Sequence, residues 1–412
     1  MVKKLYFCAT LVLSIMVFPS SHIFAQSLER IGSYDSLIAA TDVVVSGQYA
    51  YVVDGVRGLV ILDISNSASP TFVGSYNGPW NEMSLALQGG NIYLGSGSTE
   101  PYVGLFSVVD IFSDPSNPFL MDSISFNWEV TMVASRSYHY GACIATYGGN
   151  YVISADDPHN IQVVDTFDTP GYVLDMFNET NLFVADGQAG LSILDTNFML
   201  IGSYNTPGIA QAVSMSGFNG GYYAGIADND SGFEIINVVN RSNPVFVSRI
   251  NLSGHVKDVI VSNWYAYLAN ESNLVVAKIF HPESPEIIAS ATVAPTISGL
   301  DVQDDYVYMA CQGSLQIYHF IRGGCQYIPG DINGNHSVNG VDIVYAIGYF
   351  KSGGGNRPPV DCGGICPESS PFYAAGDVNG SCTFNAIDIT YFARFLKRQV
   401  PSLLVCPDCQ PN

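Results

Sequence analysis

"AYVVDGVRGLVILDIS", residues 50–65, sets two runs of β-branched and aromatic residues on either side of a turn that carries Gly55 and Gly58. Such runs favour strands and such a turn joins them, so the segment reads as a β-hairpin. The same arrangement returns as "LFVADGQAGLSILDT" (182–196), "YYAGIADNDSGFEIINV" (222–238), "YAYLANESNLVVAKI" (265–279) and "YVYMACQGSLQIYHF" (306–320). Two weaker copies end at Asp110 and Asp165.

Between the hairpins come further short strands, a "VGSY"-like one as in "PTFVGSY" (70–76) and a "D-V-x-V" one as in "VKDVIV" (256–261). Four short strands per unit, recurring about every 40 residues, is the period of a β-propeller blade. Hairpin ends at Asp63, Asp110, Asp165, Asp195, Asn237, Lys278 and His319 mark seven units. The interval from Asp165 to Asp195 is short, so the third or fourth unit is read as lacking its outer strand, with six blades as the alternative count. The last unit ends at "LQIYHFI" without an outer strand, while "LERIGSYDS" (28–36) repeats the outer-strand pattern "VGSY" (73–76). Residues 30–35 are therefore expected to complete the final blade, pairing what would otherwise be exposed edges. These residues resemble the LVIVD-repeat family of exported bacterial propellers, the strand in question being "LVILD" (59–63). The resemblance covers residues 28–321 and implies a fold and a location but no reaction.

The chain ahead of this region begins with basic "MVKK", an apolar "LYFCATLVLSIMVF" and a polar "PSSHIFAQ". That order is expected of a secretory signal peptide ending at Ala25, and its apolar run is short for a membrane span. The expectation is an exported, extracellular or cell-surface protein that does not insert into a membrane. With 15 Lys and Arg against 36 Asp and Glu, the net charge of −21 repels nucleic acid and anionic lipid and favours cations.

Six cysteines, Cys325, Cys362, Cys366, Cys382, Cys406 and Cys409, crowd into the last part of the chain. In an exported protein they are expected to form disulfides, with zinc held by the close pairs as the competing reading. Cys143 and Cys311 lie in apolar runs and read as buried thiols.

After a hinge at 322–326, residues 327–412 form a second region. "DINGNHSVNGVD" (331–342) places Asp331, Asn333, Asn335, Ser337, Asn339 and Asp342 at positions 1, 3, 5, 7, 9 and 12. "DVNGSCTFNAID" (377–388) does the same with Asp377, Asn379, Ser381, Thr383, Asn385 and Asp388. This is the oxygen-donor spacing of an EF-hand calcium loop, in which one short segment supplies the ligands a hard cation needs. Both loops run into helical patterns, at 342–351 and 388–397, and neither has a long helix before it. Two such loop–helix repeats resemble the type I dockerin domain. The resemblance covers residues 327–400 and implies calcium as cofactor and a cohesin-type protein as partner. The chain departs from it at position 5 (Asn335, Ser381), at position 6 (His336, Cys382), in a longer segment between the repeats, and at positions 10–11. There Gly340-Val341 and Ala386-Ile387 stand in place of hydroxyl pairs.

The fold read from sequence is thus mainly β, a seven-bladed propeller followed by a small α-helical dockerin-like domain with two calcium loops. The function read from it is a non-catalytic interaction surface docked through that domain to a protein partner or the cell surface. The alternative is a carbohydrate-active enzyme, a glycoside hydrolase or polysaccharide lyase acting on a polysaccharide. Its candidate residues are Arg136, Tyr138, His139 and Tyr140 in "SRSYHY" and Asp156, Asp157 and His159 in "ADDPHN". These read more simply as strand and turn residues. "ADNDSG" (227–232) is likewise read as a hairpin turn.

Overall fold

The computed structural model describes residues 26–406, apart from 56, 100–101, 137–139, 219–220, 263, 280, 322–326, 336, 352–372 and 382. One compact unit spans Ser27–Ile321, and the residues after Ile321 belong to another. The signal-peptide reading of residues 1–25 lies outside the described residues, as does the hinge at 322–326.

The first unit opens with β1 (Ser27–Tyr34). Blade 1 follows as β2 (Ala40–Ser46), β3 (Tyr49–Asp54), β4 (Gly58–Asp63) and β5 (Thr71–Tyr76). Blade 2 is β6 (Asn81–Gln88), β7 (Asn91–Thr99), β8 (Tyr102–Asp110) and β9 (Phe119–Phe126). Blade 3 is β10 (Val130–Ser135), β11 (Gly141–Thr146), β12 (Gly149–Ser154) and β13 (Gln162–Phe167). Blade 4 is β14 (Asp175–Asn178), β15 (Leu182–Ala185), β16 (Leu191–Leu194) and β17 (Leu200–Tyr204). Blade 5 is β18 (Ala212–Phe218), β19 (Gly221–Ala227), β20 (Phe233–Asn237) and β21 (Val245–Ile250). Blade 6 is β22 (Val256–Ser262), β23 (Tyr265–Asn270), β24 (Asn273–Lys278) and β25 (Glu286–Thr292). Blade 7 holds β26 (Ile297–Gln303), β27 (Tyr306–Cys311) and β28 (Ser314–Ile321), and β1 is its fourth strand.

Every sheet is a four-stranded antiparallel meander, and the inner strands touch in a cycle from β2 through β6, β10, β14, β18, β22 and β26 back to β2. The result is a closed seven-bladed propeller. Closure is as the sequence implies: β1 pairs with β28 from Ser27 opposite Ile321 to Tyr34 opposite Leu315, with a bulge between Arg30 and Gly32.

No blade lacks an outer strand, which corrects the reading of blades 3 and 4. The reason is a misplaced marker. The third strand of blade 3 ends at Ser154, not at Asp165, which sits on outer strand β13 opposite Val152. The counterparts of Asp165 are Gly74 opposite Ile61, Gly202 opposite Ile193 and Ser248 opposite Ile235. This position meets the next blade. A Cβ at Gly32, Gly74 or Gly202 would collide with a carbonyl of the following blade's turn. At the equivalent place in blade 2, Asp122 accepts a hydrogen bond from Ile161 N at 3.0 Å. The "VGSY" repeat is therefore a docking groove between blades.

The core lies between blades. At the seam that closes the ring, Val43, Val52, Val60 and Leu62 of blade 1 pack on Tyr308, Leu315 and Ile317 of blade 7. Burying each such side chain contributes about 1.5–3 kcal/mol, so the closing seam is as apolar as the others. Cys143 and Cys311 are buried free thiols, each pushed up to about 12 by burial.

In the second unit, α1 (Gly340–Lys351) and α2 (Ala386–Leu396) start two residues ahead of the positions read from periodicity. The cause at α2 is a capping box: Asn385 accepts from Ile387 N at 2.8 Å, while Asp388 accepts from Asn385 N at 2.9 Å. Ile332, Ala346, Val378 and Phe392 form its buried centre. Cys406 is buried, and the other five C-terminal cysteines lie outside the described residues.

Candidate functional site

The two Asx-rich loops fold back on themselves in the same way. In the first, Asp331 Oδ1 accepts from Asn335 N (2.9 Å) and Asn333 Oδ1 from the same N–H (3.1 Å). Asp342 reaches back from α1 to accept from Asn333 N (3.2 Å) and Asn339 N (2.9 Å). In the second, Asp377 Oδ1 and Asn379 Oδ1 accept from Ser381 N at 3.1 and 2.9 Å. Asp388 accepts from Asn379 N (3.3 Å) and Asn385 N (2.9 Å). Positions 1, 3, 5, 9 and 12 thus occupy matching places, and Thr383 Oγ1 of position 7 lies 3.0 Å from Ser381 Oγ. Ser337 N donates to Asn335 Oδ1 at 2.9 Å. All twelve residues singled out by spacing are drawn into one or other loop.

Electrostatically both loops are acidic, with their carboxylates buried while Asn335, Ser337, Ser381 and Thr383 are exposed. Asp331, Asp342, Asp377 and Asp388 are 4%, 0%, 0% and 1% exposed. Burial, assisted by the negative charge of Asp377, pushes Asp388 up to about 6. In the first loop the amide nitrogen of Asn333 is buried without a hydrogen-bond partner. Buried carboxylates with amide and hydroxyl oxygens between them are the donor set of a hard divalent cation. The residues fit such an ion.

In the propeller, no catalytic grouping of the enzyme candidates is seen among the described residues. Tyr138 and His139 lie outside the described residues. Asp156 accepts from Ser154 Oγ at 3.0 Å and Asp157 from His159 N at 3.1 Å, both local turn contacts. Tyr140 is 53% exposed, with its ring against Gly89. In "ADNDSG", Asn229 has φ +47°, Asp228 N donates to Gly232 O at 2.8 Å and Ser231 N to Asp228 O at 2.9 Å, as a hairpin turn requires.

Sequence reasoning missed a set of acids on the inner strands. Asp42, Asp175 and Asp258 accept from Leu85, Val213 and Leu300 N of the next blade at 3.2, 2.8 and 2.8 Å. Blades 5 and 7 have Ala212 and Gly299 at that place and carry the acceptor two residues on. There Ser214 takes Val261 N at 2.9 Å, and Asp301 takes Val45 N at 2.7 Å. With Ser84 accepting from Val133 N at 3.2 Å, six of the seven seams have such a clasp. The exception is the seam from blade 3 to blade 4, where Met132 and Ala134 hold the two positions. Burial raises Asp42 and Asp175 to about 7 and Asp301 to about 6, and the charge of Asp258 adds to each. For Asp42 and Asp258 the signal was the "D-V-x-V" pattern, whose first residue is the clasp; Asp175 and Asp301 do not carry it.

Comparison with known proteins agrees with this architecture. The LVIVD repeat matches residues 39–78, 101–125, 207–251 and 253–292, which are blade 1, the second half of blade 2, and blades 5 and 6. The chain is therefore a seven-bladed β-propeller built with LVIVD repeats. No curated protein matches it. Among solved structures, the WD40 β-propeller domain of Doa1 is similar at TM-score 0.57 and 10% identity, over 71% of this chain and 97% of that one. The β-propeller domain of Cps50 (Swd1) from Myceliophteria thermophila gives 0.55 and 14%, over 70% and 98%. The computationally designed Ika8 protein gives 0.51 and 10%, over 71% and 99%. At these identities the likeness is one of fold. Among the described residues no helix is long and apolar enough to cross a membrane.

Proposed function

We propose that this is an exported, non-catalytic propeller whose surface holds a protein partner, and that its C-terminal region is a dockerin-like module ordered by calcium. A propeller with LVIVD repeats supports the scaffold reading, because the fold offers two broad loop faces on a rigid ring. The observation that carries the calcium reading is the same hydrogen-bonded cage formed twice around four buried aspartates. Calcium would be held by Asp331, Asn333, Asn335, Ser337, Asn339 and Asp342 in one loop. In the other it would be held by Asp377, Asn379, Ser381, Thr383, Asn385 and Asp388. Bound there, the ion would neutralise the carboxylates and fix the start of each helix. The clustered cysteines would brace the same region as disulfides, and its partner would be of cohesin type or a component of the cell surface.

Calorimetric titration of the whole protein with calcium tests this. Two equivalents are expected to bind, and one each is expected to be lost in Asp342→Ala and Asp388→Ala. Absence of binding up to millimolar calcium overturns the reading.

A further inference from the structure

The seam between blades 3 and 4, the one without an inner-strand clasp, opens at one face of the ring into a cavity of about 210 Å³. Among the described residues its walls are Arg136 after β10, Asn178–Leu182 from the end of β14 to the start of β15, and Asp195, Thr196 and Phe198 between β16 and β17. The last connection, 195–199, is shorter than its counterparts 64–70, 155–161, 238–244 and 279–285.

Two features distinguish this space. Arg136 is partly buried, with its guanidinium carbon 5.8 Å from the centre of the Phe198 ring. Among the described residues that guanidinium has no carboxylate partner and donates no hydrogen bond. A planar fork kept off water on one side and unpaired is a binding site for a planar anion. Phe198 itself has φ +58°, a left-handed conformation that Gly or Asn adopts far more readily than a bulky aromatic. Backbone strain of this kind gathers at functional sites. The ring is steadied by stacking on Phe167, with centroids 5.9 Å apart.

The remaining walls set the rest of the ligand. Glu179 already accepts from the Tyr222 hydroxyl, and Asp195 accepts from Asn197 N and Met199 N at 2.9 Å each. Their free oxygens, with Asn181 and Thr196, suit hydroxyl donors rather than a second charge. At about 30 Å³ per water, the cavity has the volume of about seven waters, enough for one sugar ring with its substituents.

We propose that this cleft binds a hydroxylated carboxylate of monosaccharide size, its acid group on Arg136, its ring face on Phe198 and its hydroxyls toward Asn181 and Glu179. The proposal does not depend on the calcium loops. The test is calorimetric titration of the whole protein in calcium-free buffer with D-galacturonate, D-glucuronate and the neutral control D-galactose. At least one uronate is expected to bind saturably and at least tenfold more tightly than galactose. Arg136→Gln is expected to lose at least tenfold in uronate affinity, with its unfolding midpoint unchanged, and Arg136→Lys to fall between. Binding of neither uronate, equal binding of galactose, or full affinity in folded Arg136→Gln overturns the proposal.

Discussion

Asp175→Ala separates the two roles of a clasp aspartate, as an acceptor for the neighbouring blade and as an enclosed acid. Its Oδ2 accepts from Val213 N and its Oδ1 from Met176 N, both at 2.8 Å. Truncation leaves both N–H groups without an acceptor, a loss of about 1–3 kcal/mol. Against this, burial raises the carboxyl from 3.8 to about 7. The native state therefore keeps a proton that the unfolded chain has released. The stability this acid contributes is fully present below about pH 4 and is lost as pH rises toward 7. Between pH 5.5 and 8 the fall is bounded by about 2 kcal/mol at 1.36 kcal/mol per pH unit. Asp175 is only partly buried by exposed area, and solvent screening reduces this, so about 1 kcal/mol is the expected size. Asp175→Ala should thus cost about 2 kcal/mol at pH 5.5 and about 1 kcal/mol at pH 8. Urea unfolding followed by tryptophan fluorescence measures this in the propeller alone, because Trp80, Trp128 and Trp264 are the only tryptophans. Ser214→Ala, at the next seam, removes a clasp that does not titrate and should cost the same at both pH values. An Asp175→Ala cost that is equal at the two pH values, or larger at pH 8, would refute the reasoning.

Arg249→Met should destabilise the propeller by about 3–5 kcal/mol, because Glu234 is then a buried charge without its cation. Glu234 is fully buried and accepts from Arg249 Nε at 2.6 Å. Adding Glu234→Leu should recover most of that loss, and urea midpoints of the two variants check it. Removing residues 27–34 should leave β28 as an open edge and raise the mass of the particle relative to the intact chain, as read by light scattering. A peptide of residues 26–36 added in trans should reverse this. A truncated chain with the mass and the unfolding midpoint of the intact one contradicts the closure account.

The propeller was legible because each blade repeats period-2 apolar runs, and because "LERIGSY" carries the outer-strand signature at the far end of the chain. Asp165 misled because an acid can end a third strand, as Asp63 does, or occupy the outer-strand docking position, as Asp165 does. Local pattern does not distinguish the two; pairing with Val152 does. The loop residues were legible because the oxygen spacing is contained within each loop. Arg136 stood out in sequence, but as part of "SRSYHY" rather than with Phe198, since the cavity depends on where two turns end in space. The Arg249–Glu234 pair joins two strands of one blade, and nothing in the sequence marks it.

Ring closure by β1 also has a mechanical side. The chain leaves the propeller from β28, which lies between β27 and β1 rather than at an edge. A pull on the C-terminal region would therefore load two antiparallel ladders at once instead of one. The strand that completes the circle doubles as the anchor on which any tether attached beyond Ile321 would draw.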